Sequence, residues 1–181
     1  MELFEAISGR RSVRAFTGEP LREGDLERIL KAGTSAPSAG NLQPWEFVVA
    51  EGRETKADLA RAALGQAWME EAAVIITVCA CQGASAARYG RRGAELYCIQ
   101  DTAAAVQNML LASTALGYGA CWVGAFDEEG VRGVLGIPAQ VRPVAMLPVG
   151  VPLEYPAETP RKGLASLTYF ERYGERRRPG R

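Results

Sequence analysis

From Ala94 to Leu116 the sequence repeats apolar side chains at helical spacing and offers water little in exchange. Leu96, Ile99, Ala103, Val106 and Leu110 step by three and four, so a helix would align them in one stripe. Ala104, Ala105, Ala112 and Ala115 fill the flanks, and Gly117 closes the pattern. A helix this poor in polar surface is expected in the centre of a fold or at a subunit interface.

The elements around it must then supply a sheet and further helices. Residues 2–9, 23–33 and 52–65 carry helical patterns, with Gly9 and Gly33 as stops for the first two. "WEFVVAE" (45–51) and the β-branched run "AVIITVCAC" (73–81) predict strands. "QGASAARYGRRG" (82–93), rich in Gly, Ala and Arg, predicts a loop of unassigned role. A short helix is expected near 127–136, and a last strand over 143–151 interrupted by Pro148. Helices and strands alternate in an order that predicts one layered α+β domain over residues 1–151. No internal repeat or linker divides it. From Pro152 to Arg181 the chain is rich in Pro, Glu, Arg and Tyr, too polar for a core of its own, and predicts an arm lying on something else. Its end, "ERRRPGR", predicts a frayed tail.

Charge and composition narrow the chemistry. Lys+Arg and Asp+Glu both number 21, so no global field favours nucleic acid or an anionic membrane. No aromatic platform is interleaved with the basic tail, which leaves a nucleic-acid arm a weak reading. "MELFEAISGRR" has no apolar signal region. The longest apolar run is far shorter than the roughly 18 residues of a membrane span. The expected location is cytoplasmic. Cys79, Cys81, Cys98 and Cys121 form no C-x-x-C pair and are expected as small core residues; no metal site is expected. Histidine is absent, which removes Ser–His and Cys–His nucleophile schemes and His as a general base. Any chemistry points to a bound cofactor.

Three stretches could hold one. In "SGRRSVRAF" (8–16) an extended backbone would bring Arg10, Ser12 and Arg14 to one side, with Arg11 and Val13 on the other. Two guanidiniums and a hydroxyl on one face suit a phosphate or carboxylate. Such a stretch is also compatible with a solvated basic turn, although Val13, Ala15 and Phe16 argue for partial burial. In "SAPSAGNLQPWEF" (35–47), Pro37 and Pro44 bracket Ser38, Gly40, Asn41 and Gln43, groups able to bond the polar edge of a heterocycle, or simply to form a loop. In "GYGACWVGAF" (117–126), Gly119 and Gly124 would let backbone N–H groups approach a flat ligand. No G-x-G-x-x-G or Walker pattern is present.

Taken together, "RRSVRAF", "APSAGNLQPWEF", "GYGACWVGAF" and "LPVGVP" resemble, in order and spacing, the FMN-dependent nitroreductase family over nearly the whole chain. The resemblance implies a central, mostly antiparallel sheet flanked by helices. It also implies a homodimer whose C-terminal arm embraces the partner, with one FMN at each end of the interface. By motif match Arg10, Ser12 and Arg14 would hold the FMN phosphate with Arg11 nearby, and Arg161 of "PRKG" would be a second phosphate-binding cation. Pro37, Ser38 and Asn41 would lie at the isoalloxazine, partly from the partner, with Val123 and Gly124 beside flavin N5. Gln66 is the further polar contact available before the buried strand. The activity implied is ping-pong transfer from NAD(P)H to a small-molecule acceptor such as a nitroaromatic or quinone, with the flavin and not a catalytic side chain carrying the chemistry. On the same fold, a reductive dehalogenase-like or flavin-processing enzyme, or a flavin-storage protein, is the alternative.

Overall fold

The structure, a computed structural model, describes residues 1–176. The last five residues of the basic tail expected to fray, 177–181, lie outside the described residues.

Four strands form one antiparallel sheet in the order β1 (Trp45–Ala50), β2 (Val74–Ala80), β4 (Arg142–Gly150), β3 (Gly119–Ala120). β2 is buried along its whole length because helices cover both faces. Its side chains alternate accordingly. Ile75 and Cys79 enter a core with Met146 of β4, Leu59 of α3 (Arg53–Ala62) and Val131 of α6 (Glu128–Leu135). Val74, Ile76 and Val78 face the other way, toward Ile29 of α2 (Asp25–Thr34) and Val106, Met109 and Leu110 of α5 (Cys98–Ala115). The result is the α+β architecture expected from the sequence, with the apolar α5 against the sheet.

Three local readings are corrected. Residues 82–93 are not a loop: α4 spans Gln82–Arg92, because Ala84, Ala86, Ala87 and Arg88 are good helix formers. Only Gly90 breaks the geometry, at φ 56° and ψ −144°, a conformation essentially confined to glycine. A π-helical turn, Gly93–Tyr97, then precedes α5 and shifts its phase. The buried stripe is therefore Cys98, Asp101, Thr102, Ala105, Val106, Met109, Leu110 and Ser113, while Leu96, Ile99 and Ala103 are only partly covered. Pro148 does not interrupt β4, although the strand has neighbours on both sides. Its carbonyl accepts from Cys121 N–H on the β3 side. Its own nitrogen faces that side too, just past the two-residue β3, so its missing N–H costs a single bond opposite Cys121 before Val123 and Met146 pair again.

The N-terminal segment after α1 (Leu3–Gly9) is tied to the sheet. Val13 N–H donates to Ala120 O at 3.1 Å, and Thr17 N–H donates to Val151 O at 3.0 Å. The chain after β4 folds back along it, with Leu153 N–H donating to Ala15 O at 2.9 Å. Beyond, a short helix, α7 (Leu164–Leu167), is exposed with its leucines. No helix among the described residues is long and apolar enough to cross a membrane.

Asp25 anchors the start of α2. Its carboxylate accepts from Tyr118 Oη at 2.8 Å, Arg22 Nε at 2.9 Å and Arg28 Nη1 at 3.0 Å. The Tyr118 hydroxyl first, and then Arg22 and Arg28, hold its pKa below the ordinary value against the opposing effect of burial. Such a group stabilises the fold above the unfolded-state pKa of about 3.9, and that stabilisation is lost as pH falls through the lower folded-state value. Thermal melts across the acid range should therefore show a falling melting temperature below about pH 4. Asp25→Asn should flatten that limb; an unchanged acid limb in the variant would refute the assignment.

Candidate functional site

The residues singled out in the N-terminal stretch do converge. Arg10, Arg11, Ser12, Arg14 and Arg161 line one open cleft of about 510 Å³, walled by Ile7 and Ser8 on one side and by Pro156–Thr159 on the other. A volume of that order fits a cofactor-sized ligand. α1 ends at Arg10, which turns to φ −59° and ψ 128° and aims the following residues at the arm. The backbone is not a continuous strand: Val13 and Phe16 are the buried positions, spaced by three, and only Ser12 and Phe16 make isolated bridges. The expected alternation therefore fails at Arg11, which faces the same cleft as its neighbours.

The arginines differ in what already satisfies them. Arg11 is engaged: Nη1 donates to Ser8 O at 2.6 Å and Arg10 O at 3.1 Å, and Nη2 lies 3.5 Å from the Glu158 carboxylate. Arg14 has one long contact to Ser12 O at 3.5 Å and lies 6.0 Å from the Trp68 ring centre. The guanidiniums of Arg10 and Arg161 have no hydrogen-bond or ion-pair partner among the described residues. The positive field is registered by a neighbouring thiol. Burial pushes the Cys121 pKa up, while Arg14, the Ser12 hydroxyl and Arg10 pull it down, in that order. The other cysteines are free as well, and burial drives the Cys79 thiol up to about 12.

The other predicted residues do not line this cleft. Val123 is buried, and its N–H is taken by Met146 O at 2.9 Å. Gly124 is exposed, and its N–H has no acceptor among the described residues. Gln66 sets this segment in place, its Nε2 donating to Ala63 O at 2.9 Å and Ala125 O at 3.2 Å. Pro37 and Asn41 are exposed and Ser38 half-buried, at a 3₁₀ turn over Ala39–Asn41. Gly40, Asn41 and Gln43 take positive φ there, and the Ser38 hydroxyl accepts from Gln43 N–H at 2.9 Å.

Sequence reasoning missed the residues that hold this turn. Asp101 of α5 accepts from Ala39 N–H at 3.1 Å, while its second oxygen is buried without a partner. Burial raises the Asp101 pKa, and the Ala39 N–H opposes the rise. Arg88 Nη1 reaches Gly40 O at 3.4 Å, and a Cβ at Gly40 would stand 2.5 Å from Tyr89 Oη. A lone aspartate in a helical stretch otherwise poor in charge was the available signal for Asp101. Nothing local marked Arg88, which the turn meets from 48 residues away.

Similarity to known proteins runs through the same segments. An NADH dehydrogenase of Thermus thermophilus is 36% identical over 176 residues, covering 82% of this chain and 84% of its own. An oxygen-insensitive NADPH nitroreductase of Salmonella typhimurium is 31% identical over 93% of this chain and 73% of its own. The crystal structure of an NADPH:FMN oxidoreductase from Vibrio harveyi, complexed with NAD+, superposes with a TM-score of 0.87 at 27% identity, over 96% of this chain and 78% of that one. The model of the Nitroreductase family matches residues 7–72 and 61–151, which takes in the arginine-rich segment, the 37–41 turn and the Gly124 loop. With the fold, the relatives and these segments in agreement, the chain belongs to the nitroreductase family.

Proposed function

We propose that the protein is a homodimeric, FMN-dependent oxidoreductase that takes reducing equivalents from NAD(P)H and passes them to nitroaromatic, quinone or similar acceptors. The observation that carries this reading is the cleft in which Arg10, Arg14 and Arg161 converge with no carboxylate among them free to neutralise them. Glu158, the one acid among the described residues of the lining, is already opposite Arg11. Such a set of donors is matched by a phosphate dianion. FMN, when bound, would supply the two-electron redox chemistry between the reduced nicotinamide and the acceptor, with protons exchanged with solvent.

The chain's own groups hold and orient. Arg10, Ser12, Arg14 and Arg161 bind the phosphate, and Arg11 stiffens the wall through Glu158. The available N–H of Gly124, on a loop fixed by Gln66, is the donor offered to the ring, in preference to that of Val123. Pro37, Ser38 and Asn41 border the ring from a turn that lies outside the phosphate cleft, which fits a site completed across a dimer interface. Leu3, Phe4 and Ile7 of α1 and Leu164 and Leu167 of α7 are exposed apolar side chains that a partner would cover. Of the arm, residues 152–161 lie along this chain's own N-terminal segment and cleft, and the described residues beyond, 162–176, are assigned to that contact.

Purified protein should be yellow, sediment as a dimer, bleach with NADH or NADPH under anaerobic conditions, and recover colour with menadione. Double-reciprocal plots should be parallel, since donor and acceptor use one pocket in turn. Colourless protein that binds no added FMN would overturn the reading, and bound flavin that NAD(P)H never reduces would make it a storage protein.

A further inference from the structure

Residues 82–93 carry Arg88, Arg91 and Arg92 and no acid, in a chain whose formal net charge is zero. Only Arg91 is neutralised, by Glu95 at 2.8 Å. Arg88 and Arg92 have no carboxylate partner among the described residues, yet neither is loose. Arg88 lies 5.5 Å from the Tyr89 ring centre and reaches Gly40 O. Arg92 lies 5.3 Å from the Tyr97 ring centre and donates from Nε to Tyr97 Oη at 3.0 Å. Tyr89 and Tyr97 pack edge to face at 5.2 Å, so the two arginines belong to one preorganised cluster. The break at Gly90 and the π-helical turn at Gly93–Tyr97 give this segment a shape that a plain helix would not have. Through Gly40 the cluster abuts the turn that carries Ser38 and Asn41.

We infer that Arg88 and Arg92 form the subsite for the phosphate groups of the reduced nicotinamide nucleotide; this rests on the reading that the 37–41 turn borders the flavin ring. A nicotinamide stacked at the ring must leave its charged pyrophosphate, and in NADPH the 2′-phosphate, near the rim of the site. Guanidiniums held by aromatic rings and without competing acids suit that group, since Arg presents a planar fork to phosphate oxygens. The phosphate cleft at Arg10–Arg14 is a separate place, occupied in the proposed function by the flavin's own phosphate.

The test uses the flavin-loaded enzyme and the rate of anaerobic bleaching against NADH and NADPH concentration. Arg88→Gln and Arg92→Gln should each raise the half-saturating donor concentration by about tenfold, the loss of one charge-assisted contact. The limiting bleaching rate should stay unchanged in Arg92→Gln, whose side chain meets Tyr97 and not the 37–41 turn, and Arg88→Lys should recover part of the loss. Raising ionic strength should weaken donor binding in the unsubstituted enzyme more than in the variants. An effect on both nucleotides assigns the cluster to the pyrophosphate, and an effect on NADPH alone assigns it to the 2′-phosphate; either supports the subsite. Variants that keep their FMN and saturate with both donors as the unsubstituted enzyme does would overturn it. If the unsubstituted, flavin-loaded enzyme does not bleach, the proposed function fails, and this subsite with it.

Discussion

Arg14→Ala or Arg10→Ala should weaken FMN binding by about ten- to a hundredfold. Each hydrogen bond to a charged partner contributes roughly 1.5–3 kcal/mol, and 1.4 kcal/mol is a factor of ten. The two arginines should behave alike because neither meets a carboxylate in the folded chain, so a bound phosphate gains their full interaction. Arg11→Ala should cost less. The reason is not that its side chain points away, as alternation along an extended segment predicts, since it lines the same cleft. It is that Arg11 is already held by Ser8 O, Arg10 O and Glu158. The same geometry predicts that Glu158→Gln strengthens FMN binding, by removing a negative charge from the wall of an anion site. Riboflavin, which lacks the phosphate, should bind weakly and be indifferent to Arg14→Ala. Flavin-fluorescence titration of the four variants with both ligands decides the matter. If riboflavin loses as much as FMN, the arginines do not read the phosphate; if no variant changes FMN affinity, the phosphate lies elsewhere.

Gly93→Ala should destabilise the protein by about 3 kcal/mol or more, at the upper end of what overpacking costs. Gly93 has ordinary helical dihedrals, so the requirement is for space and not for conformation. A Cβ there would stand 2.2 Å from the backbone oxygen of Ser85 and 3.0 Å from Tyr89 Cβ. A carbonyl inside a helix cannot move aside as a side chain can, so α4 would have to shift from the π-helical turn. For a chain of this size a loss of about 3 kcal/mol lowers the melting temperature by roughly 6–12 °C. Gly83→Ala, at the other end of α4, meets nothing within 4 Å and should be neutral or slightly stabilising. Thermal melts of the pair make the comparison, and equal melting temperatures would show that the close approach is not needed. Because α4 carries Arg88 and Arg92, any folded Gly93→Ala protein should also bind the nicotinamide nucleotide less tightly.

Much of the architecture was written in local patterns. β2 announces itself by a β-branched run buried on both faces, α2 and α6 by apolar residues at helical spacing, and α6 also by Asp127 as its N-cap and Gly136 as its αL stop. The arginine cluster was legible for the same reason. Arg10, Ser12, Arg14 and their apolar neighbours are adjacent in sequence, and unneutralised guanidiniums beside buried residues imply an anion from elsewhere.

What the sequence could not determine depends on contacts between distant segments. One extra residue in the π-helical turn rotated the buried face of α5, and no periodicity count over 94–116 registers such an insertion. Alternation along the sequence sets Arg11 apart from Arg14 by side, but both line one cleft, and what separates them is that Ser8 O, Arg10 O and, through the return of the arm, Glu158 already engage Arg11. In residues 82–93 the glycines and arginines obscure a helix that the alanines favour, and the close packing of Gly93 on the Ser85 backbone gives that helix its tight exit. Asp101 and Arg88 acquired their places at the 37–41 turn through the packing of α4 and α5, across 62 and 48 residues of chain. Local propensity and periodicity report on neighbours within a turn or two of chain; which charges are met, and which are left for a ligand, is decided only when remote segments close on one another.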